Sequence, residues 1–160
     1  MQLYLLRHGI AENGRPGARD ADRTLTAEGK KKLKEVLRTA ARAGVSPDCI
    51  LTSPYVRAVE TAEIAIEVLG YRSKLFRSNA LVPESDPRDL WQEIRVYKGA
   101  DQVLVSSHEP LLSRSVAYLL SSPSLVVDMK KGGLVRIDLE GFGAEPSGLL
   151  KWYLVPKLAE

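Results

Sequence analysis

The sequence predicts an α/β fold, a three-layer αβα sandwich around a mostly parallel central sheet. Short apolar runs alternate with longer segments whose apolar residues recur at helical spacing, a pattern typical of a parallel sheet covered by helices. The run at residues 3–6 is apolar at every position, as expected of a strand buried on both faces. A chain of 160 residues, 44% of them hydrophobic, is long enough for one core. We therefore expect a single domain over residues 1–160.

Composition narrows the classes of function. The net charge of +3 is spread along the chain, which suits an anionic substrate but lacks the concentrated basic patch of nucleic-acid binders. The single cysteine, Cys49, excludes an internal disulfide framework. No run approaches the roughly 20 apolar residues of a membrane span, and the chain opens in a strand rather than in a signal peptide. We expect a cytoplasmic monomer that binds neither nucleic acid nor membranes.

The first strand ends in polar residues. Arg7 and His8 follow the apolar run at once, at the carboxyl end of a central strand, where open α/β sheets form their ligand crevices. Gly9 then lets the chain turn sharply or approach a ligand without a Cβ in the way. Residues 10–23 have no apolar period, which indicates a loop over the same crevice.

A helix follows this loop. Thr26 suits its N-cap, Glu28 suits its positive end, and Gly44 ends it. One side of this helix carries lysines and arginines, most simply a solvated face.

The second strand and helix add another arginine. Residues 49–52 read as a short strand, and Ser53 and Pro54 predict the start of a helix that ends at Gly70. Arg57 falls in the first turn of that helix, where a cation opposes the helix dipole. An anion bound at this helix end would account for the arginine.

The next segment carries a carboxylate. Residues 74–77 predict a third strand, and a proline-bracketed loop at residues 81–87 contains Glu84. A helix through Leu90, Ile94 and Tyr97 follows.

The fourth predicted strand, like the first, leads to a histidine. Residues 102–106 are strand-like and lead to His108, so both histidines of the chain follow predicted apolar strands. A helix over residues 111–120 comes next. Residues 134–139 and 149–155 alternate like strands at or near a sheet edge.

Parallel strands bring their carboxyl ends to one edge of the sheet, so Arg7, His8, Arg57 and His108 are expected to meet. Guanidinium groups match phosphoryl oxygens in geometry and charge. One histidine can attack phosphorus through a neutral ring nitrogen while the other donates a hydrogen bond. Lacking a cluster of cysteines or carboxylates, this set predicts a phosphate site that needs neither a metal nor a cofactor.

Four blocks of the sequence resemble those of a known protein family. They are Leu6-Arg7-His8-Gly9, Arg23-Thr24-Leu25-Thr26-Ala27-Glu28-Gly29, Ser53-Pro54-Tyr55-Val56-Arg57 with Thr61, and Ser107-His108. Together they resemble the histidine phosphatase superfamily, and within it the SixA-type phosphohistidine phosphatases. The resemblance spans nearly the whole chain and implies a phosphoglycerate mutase-like fold.

The resemblance also implies roles. His8 would be the nucleophile, and Arg7, Arg57 and His108 would bind the phosphoryl group. Arg23 would be either an auxiliary phosphate contact or a surface charge. Glu84 would be either the acid that protonates the leaving group, which requires a raised pKa, or a solvated loop residue. The serines at 53, 106 and 107 would either hydrogen-bond near the phosphate or, more simply, cap helices.

We therefore expect a metal-independent phosphatase that dephosphorylates a phosphohistidine on a partner protein of signal transduction, through a covalent phosphohistidine on His8. One alternative is a small-molecule phosphomonoesterase or mutase of the same superfamily. A second is a non-catalytic module that recognises phosphate.

Overall fold

The computed structural model describes all 160 residues and contains one six-stranded sheet with helices on both faces. The strands are β1 (Gln2–Arg7), β2 (Cys49–Thr52), β3 (Leu75–Arg77), β4 (Gln102–Ser107), β5 (Leu134–Leu139) and β6 (Gly148–Leu154). The helices are α1 (Ala27–Arg42), α2 (Val56–Leu69), α3 (Pro87–Val96), α4 (Leu111–Leu119) and the short α5 (Pro156–Ala159). No helix is both long enough and apolar enough to cross a membrane.

The sheet has the order β3-β2-β4-β1-β5-β6. The first four strands pair in parallel, and β5 and β6 add on antiparallel. Because β1 lies between β4 and β5 and is covered on both faces, its four central residues are almost completely buried. The three-layer α/β fold predicted from the sequence is confirmed, with β5 one strand in from the edge and β6 at the edge.

Two apolar clusters fill the space between the sheet and its helices. One joins the sheet to α3 and α4, with Leu90, Trp91 and Leu112 among its members. The other joins the opposite face to α1 and α2, with Leu37 and Ala62 among its members. Both helical layers thus press on β1 and β4, the strands that end at the polar residues.

The boundaries of α2 differ from the sequence prediction. The helix begins at Val56, after Tyr55 in an extended N-cap conformation, and not at Ser53 and Pro54. The Ser53 hydroxyl hydrogen-bonds to His108 and accepts a bond from the Tyr55 amide, so it does not cap the helix. Arg57 nevertheless lies in the first turn, as predicted.

The start of α1 fixes the chain that leaves β1. The Thr26 hydroxyl accepts from the Gly29 amide at 2.9 Å, so this cap is as predicted. The Thr26 amide donates to the Ile10 carbonyl at 2.9 Å, and a Cβ at Gly29 would collide with that same carbonyl. A glycine is therefore needed here for α1 to hold the segment after His8 and Gly9 in place.

Candidate active site

The structure brings four of the sequence-predicted residues into one crevice, formed by Arg7, His8, Arg57 and His108. Residues Arg7 and Ser107 are paired across β1 and β4, so the histidine that follows each strand emerges at the same edge. The centroids of the two imidazole rings lie 5.1 Å apart. His8, His108 and Arg57 are only 6%, 1% and 5% exposed, so their charges interact across a medium that water screens poorly.

The ring of His8 is oriented by its own backbone. Nδ1 lies 2.7 Å from the Gly9 carbonyl oxygen, which can only accept, so Nδ1 carries the proton and Nε2 presents a lone pair. Arg57 Nε donates to that Nε2 at 3.3 Å. Burial, followed by the charges of Arg57, Arg7 and Lys131, lowers the pKa of His8 to about 4, although its bond to Gly9 opposes the shift. His8 is thus a neutral imidazole near pH 7.

His108 is also neutral and has one unused ring nitrogen. Burial, and then the neighbouring His8 and Arg57, lower its pKa to about 3. Its Nε2 lies 2.7 Å from Ser53 Oγ, and that hydroxyl already accepts from the Tyr55 amide at 3.2 Å. The assignment that satisfies the Ser53 hydroxyl has it donate its hydrogen to Nε2, its only acceptor among the hydrogen bonds of the structure. The proton of the ring then lies on Nδ1, which is buried without a partner.

Arg7 contributes a second unsatisfied donor. Its Nη1 donates to the Met129 carbonyl at 2.6 Å, while Nε is buried without a partner. Burial lowers the pKa of this guanidinium. Buried donors without partners are rare in folded proteins. Two of them in one crevice, Arg7 Nε and His108 Nδ1, fit a site that receives an oxyanion.

Asp20 occupies one side of Arg57. It lies in a short 3-10 turn, Asp20–Asp22, within the predicted overhanging loop. Arg57 donates to the Asp20 carbonyl at 2.8 Å through Nη1 and to its carboxylate at 3.0 Å through Nη2. Arg23 and then Arg57 lower the pKa of this carboxyl. Sequence analysis missed Asp20, because a loop aspartate without apolar periodicity gives no signal of what it contacts.

Arg23 lies next to the crevice and contacts Asp20. Its Nη1 bonds to Asp20 at 3.0 Å and its Nε to the Glu12 carbonyl at 2.8 Å. Asp20 therefore bridges Arg23 and Arg57, and Arg23 reaches the other crevice residues only through that bridge.

Gly9 packs tightly and its amide is already bonded. A Cβ at Gly9 would lie 2.7 Å from Leu33 Cδ1. Its amide donates at 3.2 Å to the Thr61 hydroxyl, which donates in turn to the Arg57 carbonyl at 2.7 Å. Thr61 thereby ties the turn after His8 to the helix that carries Arg57, and the Gly9 amide is engaged by this bond within the protein.

Glu84 lies at the rim. Its side chain is exposed, and Oε2 is 3.5 Å from the Tyr55 hydroxyl, a long hydrogen bond. The Tyr55 ring meets His108 edge-on at 5.0 Å and lies 5.1 Å from the Arg57 guanidinium carbon. Burial, and then the charge of Glu84, raise the pKa of Tyr55. Tyr55, which sequence analysis did not single out, connects Glu84 to the buried groups.

Two of the remaining serines serve the scaffold. Ser106 Oγ donates to the Ala58 carbonyl at 2.8 Å and Ser107 Oγ to the Leu81 carbonyl at 2.7 Å. Neither caps a helix, contrary to the simpler of the sequence expectations, and both fasten β4 to its neighbours. No group of three or more His, Cys, Asp or Glu side chains is placed to hold a metal ion.

Taken together, the crevice presents a neutral imidazole lone pair, two guanidinium groups and a second imidazole with a free donor. Such an arrangement can bind a phosphoryl group, offset its charge and attack its phosphorus.

The chain is similar to known proteins over most of its length. Residues 3–78 match the histidine phosphatase superfamily, branch 1. The chain is 32% identical over 130 residues to a phosphohistidine phosphatase SixA homolog of Haemophilus influenzae, covering 74% of this chain and 77% of that protein. It is 26% identical over 162 residues to phosphohistidine phosphatase SixA of Escherichia coli, covering 98% and 94%. The solved structure of the protein histidine phosphatase SixA complexed with tungstate superposes with a TM-score of 0.88 at 25% identity, covering 100% of both chains.

Proposed function

Because this chain belongs to the histidine phosphatase superfamily, and within it to the SixA type, we propose that it removes phosphate from a phosphorylated histidine on another protein. The observation that carries this proposal is the state of His8. Its Nδ1 proton is held by the Gly9 carbonyl, and its pKa of about 4 leaves Nε2 unprotonated near pH 7. A neutral, oriented nitrogen beside two arginines is what nucleophilic attack on phosphorus requires.

In the first step, His8 Nε2 attacks phosphorus in line with the leaving group. A bond from Nε2 to phosphorus forms as the bond from phosphorus to the substrate imidazole breaks, and that imidazole leaves with a proton from solvent or from a rim acid. Arg7, Arg57 and the Nδ1 hydrogen of His108 balance the charge on the three equatorial oxygens. Arg57 Nε, which donates to Nε2 in this structure, turns to a phosphoryl oxygen.

In the second step, water attacks the phosphorus of the phosphorylated His8. A new bond from oxygen to phosphorus forms, the bond to Nε2 breaks, and inorganic phosphate leaves. The proton lost by water passes to the released phosphate or to solvent. Nε2 regains its lone pair, and the site is ready for another cycle.

The connection between β3 and β4 favours a protein substrate. From Arg77 to Gln102 the chain forms one 3-10 turn, one loop and α3, which is too little to build a large lid over the crevice. An open mouth fits a bulky protein surface, whereas a small ester gains affinity mainly from groups that enclose it. An imidazole also departs with less acid assistance than an alkoxide, so the exposed position of Glu84 suits this leaving group.

A second candidate function is hydrolysis of small phosphate esters. Its support is the link from Glu84 through Tyr55 to His108, which places a carboxylate at the rim on the side of the second histidine. In that reaction Glu84 would protonate the leaving oxygen.

Phosphate release from a panel of substrates tests the proposal. Phosphohistidine proteins should give higher kcat/KM than 3-phosphoglycerate and similar esters, and Glu84→Gln should lower the rate on esters more than on phosphohistidine. Because the site is proposed to work without a metal, a chelator should leave the rate unchanged. A clear advantage for small esters, with strong dependence on Glu84, would replace the proposal with the second candidate.

A further inference from the structure

A second, open pocket of about 830 Å³ adjoins the crevice and shares Arg7 with it. Its charged lining residues are Arg7, Lys32, Lys130, Lys131, Lys157 and Asp128. Ile10, Tyr153, Val155 and Pro156 supply the remaining surface. Five cationic side chains thus face one carboxylate, in a chain whose whole net charge is only +3. We call this pocket the lysine pocket.

The lysine pocket is built on a fastened loop. Arg7 holds the Met129 carbonyl, and the Gly132 amide bonds to the carbonyls of Arg7 and His8, both at 3.1 Å. On the far side, the Tyr153 hydroxyl accepts from the Lys130 amide at 2.7 Å and donates to the Asp128 carbonyl at 2.9 Å. The loop therefore keeps its lysines at a fixed place beside the crevice.

Gly132 brings two of the lysines together. It has a φ of +75°, and a Cβ there would lie 3.2 Å from Pro156 Cγ. A side chain at this position would strain the backbone and press on the first residue of α5. The glycine lets the loop lie against α5, so that Lys131 and Lys157 line the same pocket.

Not all of these lysines are already neutralised. Lys32 pairs with Glu28 at 3.0 Å and Lys130 with Asp128 at 2.5 Å. Lys131 and Lys157 have no carboxylate within ion-pair distance and are exposed. The charge of Lys131 also contributes to the lowered pKa of His8, so it acts within electrostatic reach of the nucleophile.

We propose that the lysine pocket docks an acidic segment of the phosphorylated partner protein, next to the histidine that enters the crevice. This inference rests on the proposed function and names the surface chemistry of its substrate. The cations come from four separate parts of the chain and most sit on long, exposed lysine side chains. Such a diffuse field steers an acidic protein surface, whereas a phosphate or carboxylate of a small molecule is held best by preorganised forked donors.

Paired substrates test this docking. Two peptides with the same phosphohistidine are compared, one flanked by three aspartates and the other by three asparagines. The parent chain should favour the acidic peptide in kcat/KM by about tenfold at low salt, the lower end of electrostatic steering. Raising the ionic strength from about 0.01 M to about 0.15 M, which shortens the Debye length from about 30 Å to about 8 Å, should reduce that preference.

Lysine variants assign the preference to the pocket. In Lys131→Gln/Lys157→Gln the ratio between the two peptides should fall to nearly one. Lys98→Gln is the matched control, because Lys98 is exposed and precedes the amino end of β4, at the opposite end of the sheet; its ratio should equal that of the parent. Equal rates on the two peptides in the parent, or an unchanged ratio in the double variant, would overturn the docking proposal while leaving the phosphatase activity intact.

Binding separates this failure from failure of the proposed function. The affinity of His8→Ala for both peptides is measured by fluorescence anisotropy, with and without the two lysine changes. The acidic peptide could bind more tightly in a way that depends on the two lysines, while the parent chain hydrolyses neither peptide. That result would support the docking surface and refute the phosphatase activity. If the two lysine changes lower only the rate on a small ester that carries an extra carboxylate, and not the rate on the peptides, docking of a protein is refuted.

Discussion

Acidification should destabilise this chain through its two buried histidines. Both have folded-state pKa values well below the ordinary value of about 6.5, about 4 for His8 and about 3 for His108. As the pH falls below about 6.5, both histidines bind a proton in the unfolded chain but stay neutral in the folded chain. The stability that the two neutral histidines contribute is therefore fully present above about pH 6.5 and declines from there as the pH falls through their folded pKa values of about 4 and about 3.

The size of the loss follows from the two shifts. At about pH 4.5, a group with a pKa of about 4 when folded and about 6.5 when unfolded costs about 2.5 kcal/mol. His108, with a folded pKa of about 3, costs slightly more, so the pair costs about 5 kcal/mol. This equals the whole stability of a marginal domain, since small proteins unfold with about 5 to 15 kcal/mol.

Urea denaturation at about pH 7.5 and about pH 4.5 measures this loss, with the fluorescence of the fully buried Trp91 as the signal. The double variant His8→Gln/His108→Gln is the control, because its slope with pH should vanish whatever its stability at neutral pH. Carboxyl groups with lowered pKa values, such as Asp86 at about 2, contribute mainly below about pH 4. A parent that keeps its stability to about pH 4.5, or a double variant that loses as much as the parent, would refute the reasoning.

Three further changes have defined outcomes. Arg57→Lys should lower kcat/KM by about tenfold to a thousandfold, because a point charge cannot replace the three directed N–H groups of the guanidinium. Parent-like kinetics would mean that Arg57 contributes only a general positive charge. Asp20→Asn should lower the inhibition constant of inorganic phosphate, the product of the proposed reaction, by about twofold to tenfold, since it removes the carboxylate that competes for Arg57 at a half-exposed pair. Weaker inhibition would instead make Asp20 a support for Arg57. Gly29→Ala should lower the free energy of unfolding in urea by about 1–3 kcal/mol because its Cβ collides with the Ile10 carbonyl. Gly14→Ala is the control, because a Cβ there has no atom within 4 Å and should leave the stability nearly unchanged. Equal stability of the two variants would contradict the close approach of Gly29 to Ile10.

The sequence was most informative where the signal was local. An apolar run at every position marked β1 as buried on both faces, and the residues after β1 and β4 were placed together because parallel strands share one edge. The cap at Thr26 and the left-handed glycine that ends α2, Gly70 with a φ of +67°, were likewise predictable, since each depends only on its own few residues.

What the sequence did not reveal depends on contacts between distant segments. Nothing near Asp20 indicates that its carboxylate bridges Arg23 and Arg57, because the loop that carries it obeys no periodicity. Ser53 has the sequence signature of a helix cap, yet its hydroxyl bonds to His108, 55 residues away. The competing partner became visible only once β2 and β4 were adjacent.

The covalent intermediate is the central claim, and trapping it is the most direct test. Parent chain is mixed with a protein carrying labelled phosphohistidine, quenched within the first turnover, and mapped by mass spectrometry. We predict an acid-labile, alkali-stable phosphate on Nε2 of His8, absent from His8→Asn. The fold of that variant should persist because His8 belongs to neither of the two apolar clusters. Turnover without label on His8, or label on His108 instead, would contradict the account.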